Sequence, residues 1–224
     1  SCIARENGYR SWTNLKNYVA LRNNKIFETR ATGVPVWLHY IYGHDGERPD
    51  PTGAARLLGE HPELGRGEML LACASGDEAG IRQWIATDPT SVHRPSGTWE
   101  CPCCNSPHAA RPPLVAVTHS SLVRLPEFRD RLHRCARLLL DAGADPNQAA
   151  THAGGSLSAL YGAAGMNHDP ALTQMLLAAG ARPNDGESLY HSMETRDLTC
   201  AALLLQAGAA VEGSNALHHQ LDDD

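Results

Sequence analysis

Four soft metal ligands fall within eight residues: Cys101, Cys103, Cys104 and His108, in the stretch W-E-C-P-C-C-N-S-P-H. Three thiolates and an imidazole suit tetrahedral zinc. The C-x-C-C spacing departs from the usual C-x2-C knuckle, and the side chains of adjacent Cys103 and Cys104 point differently. We read them as surface cysteines of an insertion, open to oxidation. No metal and no cofactor is assigned, and a zinc-stabilised module centred on this segment is kept as the alternative. His39, His44 and Asp45 lie close in sequence but lack a fixed ligand spacing. Nucleophilic catalysis fares no better. Twelve histidines are present, yet there is no G-x-S-x-G elbow, no H-E-x-x-H, no Gly-rich loop between a strand and a helix, and no carboxylate pair of fixed geometry. The chain reads as a protein that is not an enzyme, with no catalytic residues.

Composition narrows the setting. Of the seven cysteines, Cys73, Cys135 and Cys200 sit inside apolar helical patterns. Buried free thiols in an odd total fit a reducing, cytoplasmic compartment better than a disulfide framework. The net charge of −6 argues against nucleic acid as a partner. The local run Arg124, Arg129, Arg131, Arg134 and Arg137, offset by Glu127 and Asp130, reads as the wet face of a helix. No apolar run approaches the roughly 18 residues a membrane helix needs, so no membrane partner is expected. Aromatic residues make up 5% of the chain. A single large core is therefore not expected, whereas the abundant Ala, Leu and Gly allow helices to stack closely. Ser1 is not a natural start, which leaves open a processed form or the interaction region of a longer enzyme or effector.

Any such site must be positioned by a repeated element. The stretch R-C-A-R-L-L-L-D-A-G-A-D-P-N (134–147) returns as T-Q-M-L-L-A-A-G-A-R-P-N (173–184) and A-A-L-L-L-Q-A-G-A-A-V-E (201–212). Each is an apolar helix end, a Gly stop and a turn. Leu138 to Met175 is 37 residues and Met175 to Leu203 is 28. The sum, 65, is close to twice the roughly 33 of an ankyrin unit. The pattern resembles the ankyrin-repeat family over about residues 54 to 221, most specifically at Gly143–Asn147 and Gly180–Asn184. The family's T-P-L-H start survives as P-P-L-V, S-A-L-Y, E-S-L-Y and N-A-L-H. The string A-R-E-N-G-Y-R-S-W-T-N-L-K (4–16) is similar to a segment that precedes the repeats in bacterial ankyrin-repeat proteins.

The resemblance implies an all-α solenoid of stacked helix-turn-helix units. Residues 1–52 form a helical N-terminal prelude or cap, in which Ser11 caps a helix carrying Trp12, Leu15 and Val19. Within it Val34–Tyr42 is β-prone and aromatic, although Pro35 weakens a strand there. The array follows at 53–224. Its units lie near 53–66 (partial), 67–93, 112–147, 158–185, 187–213 and 215–224 (partial), with the Cys-rich insertion at 94–111. Pro113, Pro126 and Asp169-Pro170 are expected to open helices, Ser158 to cap one, and Gly143 to end one in the left-handed conformation. Phe128, Leu132, Cys135 and Leu139 form one apolar stripe.

Stacking leaves over the inner helices and turn fingers, and the resemblance implies that this concave side binds partners. Carried over by position, it includes Gly162, Gly165, Met166, His191, Glu194 and Thr195, with Ala72 and Ser75 earlier. Asp185 and Glu187 lie in one finger, and Gln148 to Gly155 form another. Tyr161 and Tyr190 stand where the family has a turn-ordering His. The expected function is a monomeric, non-catalytic scaffold for an unidentified protein partner.

Overall fold

The computed structural model describes residues 19, 29–43, 48–100, 107–108, 110–152 and 155–212. Ten α-helices dominate it, and two short antiparallel hairpins are the only sheets among the described residues. The helices come in pairs. α1 (Arg30–Tyr42) leads to α2 (Pro51–Glu60), α3 (Met69–Ser75) to α4 (Glu78–Thr87), and α5 (Pro113–Thr118) to α6 (Pro126–Asp141). α7 (Ala159–Tyr161) widens into a π turn over Gly162–Met166 and leads to α8 (Pro170–Ala178), and α9 (Ser188–Ser192) leads to α10 (Thr199–Gln206). From α3 onward first helices touch first helices, α3 on α5, α5 on α7 and the π turn on α9. Second helices do likewise, α4 on α6, α6 on α8 and α8 on α10. Buried Leu, Ala and Cys side chains fill the space between them.

Local chemistry explains where the helices begin and stop. Pro113, Pro126 and Pro170 stand in first turns, where a missing N–H costs nothing. Asp50, Asp77, Asp169 and Ser158 cap α2, α4, α8 and α7 by accepting from backbone N–H groups at 2.9–3.0 Å. Gly143, Gly180 and Gly208 follow α6, α8 and α10 with φ of 91°, 97° and 95°. After each, an alanine N–H reaches back to the last helical turn: Ala144 to Leu139 O, Ala181 to Leu176 O and Ala209 to Leu204 O, at 2.9–3.0 Å. The turns are also tied to one another. Asn147 donates Nδ2–H to Gly180 O (3.3 Å) and accepts from Arg182 N (2.9 Å). Asn184 does the same with Gly208 O (3.2 Å) and Ala210 N (2.7 Å).

Several expectations are revised. Val34–Tyr42 belongs to helix α1, not a strand. Helices α2 and α4 end at Glu60 and Thr87, just before Pro62 and Pro89, where the residue ahead of a proline resists the α region, and the 3-10 turns Pro62–Gly65 and Pro89–His93 follow them. In and beyond the finger placed at Gln148 to Gly155, β3 (Ala149–His152) pairs antiparallel with β4 (Gly155–Ser158), Ala149 facing Ser158. Gln148 at its base is buried, donating to Val92 O (2.6 Å) and accepting from Leu114 N (3.2 Å). The Cys-rich insertion starts from a closed stem. Ser96 and Arg111 exchange backbone bonds of 3.1 and 3.2 Å, and β1 (Trp99–Glu100) pairs with β2 (Pro107–His108) against α1. Of the helix expected after Ser11 only Val19 is described, helical and exposed, and the partial unit at 215–224 lies outside the described residues.

Candidate binding surface

The first helices of three successive pairs carry a chain of rings. His119, just after α5, meets Tyr161 of α7 with ring centroids 5.9 Å apart. Tyr161 meets His191 of α9 at 5.2 Å, and His191 meets Tyr190 at 4.8 Å, each edge to face. His119 is buried, and its Nε2 lies 2.8 Å from Ser158 O. Burial pushes its pKa down to about 4 against the partial support of that carbonyl, so the imidazole is neutral at pH 7. His191 is half-buried and held between two carboxylates, Nε2 to Glu187 at 3.2 Å and Nδ1 to Glu194 at 3.0 Å. The Tyr161 pKa is raised by burial first and then by Glu187 and Glu194, whose negative field reaches its hydroxyl.

The π turn sets this geometry. A Cβ on Gly162 would come within 2.0 Å of His119 Cδ2, and one on Gly165 within 2.7 Å of Tyr161 Cδ2 and 3.0 Å of His191 Cβ. Both glycines are therefore buried packing positions that let neighbouring inner helices approach, rather than contact surface. Met166 remains half-buried at the end of the turn, where its carbonyl accepts from Arg124 Nη2 at 2.6 Å. Asn167 locks the exit, accepting from Arg124 Nε (2.9 Å) and donating to Thr118 O (2.8 Å). His168 follows with φ of 48°, a strained value for a residue with a side chain, and its buried Nδ1 has no partner. Burial first, then Arg124, lowers its pKa, with Glu194 opposing. A π turn, a strained residue and a buried ring nitrogen thus converge beside His191, a combination that recurs at functional positions.

The remaining expected residues divide. Asp185 faces inward: it accepts from Ser188 N (2.9 Å), Ser188 Oγ (2.6 Å), Glu187 N (3.2 Å) and the Ser158 hydroxyl, so it fastens the start of α9 to β4. Glu187 and Thr195 are half-buried and Glu194 is exposed. Ala72 and Ser75 are buried. His191, Glu187, Glu194 and Met166 are therefore brought to one surface, while Gly162, Gly165 and Asp185 support it from within. Neither His119 nor Asn167 nor Arg124, read only as part of a helix's wet face, was expected at this surface; they join it through contacts 39 to 49 residues apart. In the arginine run, Arg129, Arg134 and Arg137 are exposed as expected, but Arg131 and Arg124 reach back to carbonyls of Ser75 and Met166.

Cys101, Cys103, Cys104, His44 and Asp45 lie outside the described residues, as does the His108 side chain. Among the described residues, no three metal-ligating side chains cluster. Cys73, Cys135 and Cys200 are free and buried, and burial raises each thiol pKa. No described helix is long and apolar enough to cross a membrane. A histidine between two carboxylates, bordered by tyrosine rings and a methionine, offers hydrogen-bond acceptors and apolar area together, which suits recognition. In comparisons with known proteins, the chain matches no family model and no curated sequence.

Proposed function

We propose that the chain is an ankyrin-type solenoid acting as a monomeric, non-catalytic scaffold in a reducing compartment. It binds a protein partner through the inner-helix surface around His191. The same back-bond at three Gly turns and the same clasp at Asn147 and Asn184 support the repeat reading, since a repeat array should recur in its hydrogen bonds. The binding reading rests on one observation above all. His191, Glu187, Glu194, Met166 and the edges of Tyr161 and Tyr190 form a partly exposed, chemically mixed patch beside a strained turn.

The test is affinity capture from a lysate of the source organism, using the wild-type chain and a His191→Ala, Glu194→Arg, Thr195→Ala variant. Circular dichroism verifies that the variant is folded. A photo-crosslinker at position 194 then identifies what touches the surface. The expected outcome is one partner crosslinked at 194 and lost from the variant. Equal capture by both proteins, with crosslinks mapping elsewhere, would move the interface off this face.

A further inference from the structure

A second site lies away from the His191 surface and does not depend on that reading. Between the 3-10 turn Pro62–Gly65 and the start of α4 run two adjoining cavities of about 300 and 670 Å³. Both are bounded by Arg66 and Asp77, so they form one cleft, of the size that holds small ligands.

The ends of the cleft differ in chemistry. The smaller end is lined by Arg131, whose Nη2 donates to Ser75 O (2.6 Å) and whose guanidinium lies 4.0 Å over the Phe128 ring. Those contacts fix it in place, and its buried Nε–H has no acceptor. Gly76, with φ of 74°, makes room: a Cβ there would lie 2.9 Å from Arg131 Cγ. Arg66, exposed, borders the same space. The nearby acids are already engaged. Asp77 caps α4, and Glu78 is paired with Arg82 (2.7 Å) and Arg134 (3.1 Å). Two arginines, Arg66 and Arg131, thus line the cleft beside two acids whose oxygens are already engaged in a cap and in ion pairs with Arg82 and Arg134. The two acids on the rim disfavour a dianion such as phosphate and leave room for a single negative charge. A planar carboxylate matches a fixed guanidinium. The larger end is lined by Ala72, Ala79, Gly80 and the half-buried Trp84, whose Nε1–H is held by Gly67 O at 2.9 Å. Small residues open that space and an indole walls it, which suits an apolar side chain.

We propose that this cleft binds a short acidic peptide, with a Glu or Asp carboxylate between Arg66 and Arg131 and the neighbouring apolar side chain against Trp84. The experiment is an NMR titration of the ¹⁵N-labelled full chain with acetyl-Glu-Phe-amide, its Gln counterpart and its Lys counterpart. The Trp84 indole resonance is assigned by Trp84→Phe. The expected result is saturable movement of the Trp84 indole N–H and the Gly76 and Gly80 amides, with Kd of about 1 mM for the Glu peptide. The Gln peptide and the Arg66→Gln variant should each bind about tenfold more weakly, the loss of one charge-assisted contact. Arg131→Lys, which keeps the charge and loses the planar fork, should also weaken binding. The His191, Glu194, Thr195 triple variant should bind as wild type, which separates this site from the first. No movement at about 10 mM peptide, equal affinity for the three peptides, or an Arg66→Gln variant that binds normally would each overturn the proposal.

Discussion

Leu139 has no exposed surface, and Leu132 and Cys135, its partners along the α6 stripe, have none either. Leu139→Ala should cost about 2–5 kcal/mol in urea unfolding, because the close-packed surroundings relax only partly into the void. A loss under about 0.5 kcal/mol, typical of surface substitutions, would place the residue off the seam. His119 makes a different claim. Its folded pKa of about 4 lies below the ordinary 6.5, and burial is the main cause. Between those values the unfolded chain holds a proton that the folded chain refuses. Stability from this residue is therefore present above pH 6.5 and drains away as pH falls toward 4, by on the order of 3 kcal/mol. His119→Gln should shrink that slope. If wild type and variant lose stability in parallel between pH 7.5 and 4.5, His119 is not the group responsible.

Among elements, the Asn clasps are the joints between successive turns. Asn147→Ala removes a donor to Gly180 O and an acceptor for Arg182 N. Water can replace part of both, since Arg182 is exposed and Asn147 half-buried, so the expected loss is about 1 kcal/mol, with faster hydrogen exchange at the Arg182 amide. An unchanged exchange rate there would mean the clasp does not hold the turn. These joints were half legible. Gly143–Asn147 and Gly180–Asn184 announce themselves, because a Gly stop and a Pro punctuate locally, and so do the caps at Ser158 and Asp169. What Asn147 reaches for, 35 residues on, no local pattern carries. Helix α1 escaped for another reason. Nine of its thirteen residues are buried, on every side, and a continuous apolar run has no period by which to tell helix from strand. Gln148 read as finger surface because a polar residue after a turn ordinarily is; its partners at Val92 and Leu114 lie far away in sequence. At the candidate surface, His191, Glu187 and Glu194 were placed by position in the resemblance alone. His168 and Arg124 did not, since strain and long-range anchoring leave no mark on spacing.

From α3 onward, contacts pass from each helix pair to the next, and α10 has a neighbouring second helix on one side only among the described residues. Leu140 and Leu177, at matching places before their Gly turns, are half-buried, whereas Leu205 is 45% exposed and Leu198 at the start of α10 is 42% exposed. Native-state hydrogen exchange should show α10 opening at a fraction of the free energy that opens α6. Matched protection of the two helices would mean that the described chain opens as one cooperative block. The insertion stem has a consequence of another kind. The Ser96–Arg111 rung and the β1–β2 pair bring the two ends of the insertion together against α1, so the helices beneath sense where the strand pair closes. Doubling the length of such a loop costs only about 0.6 kcal/mol. In engineering terms this is a splice point, where a foreign domain or reporter could be grafted between 101 and 106 while the helix pairs keep their register.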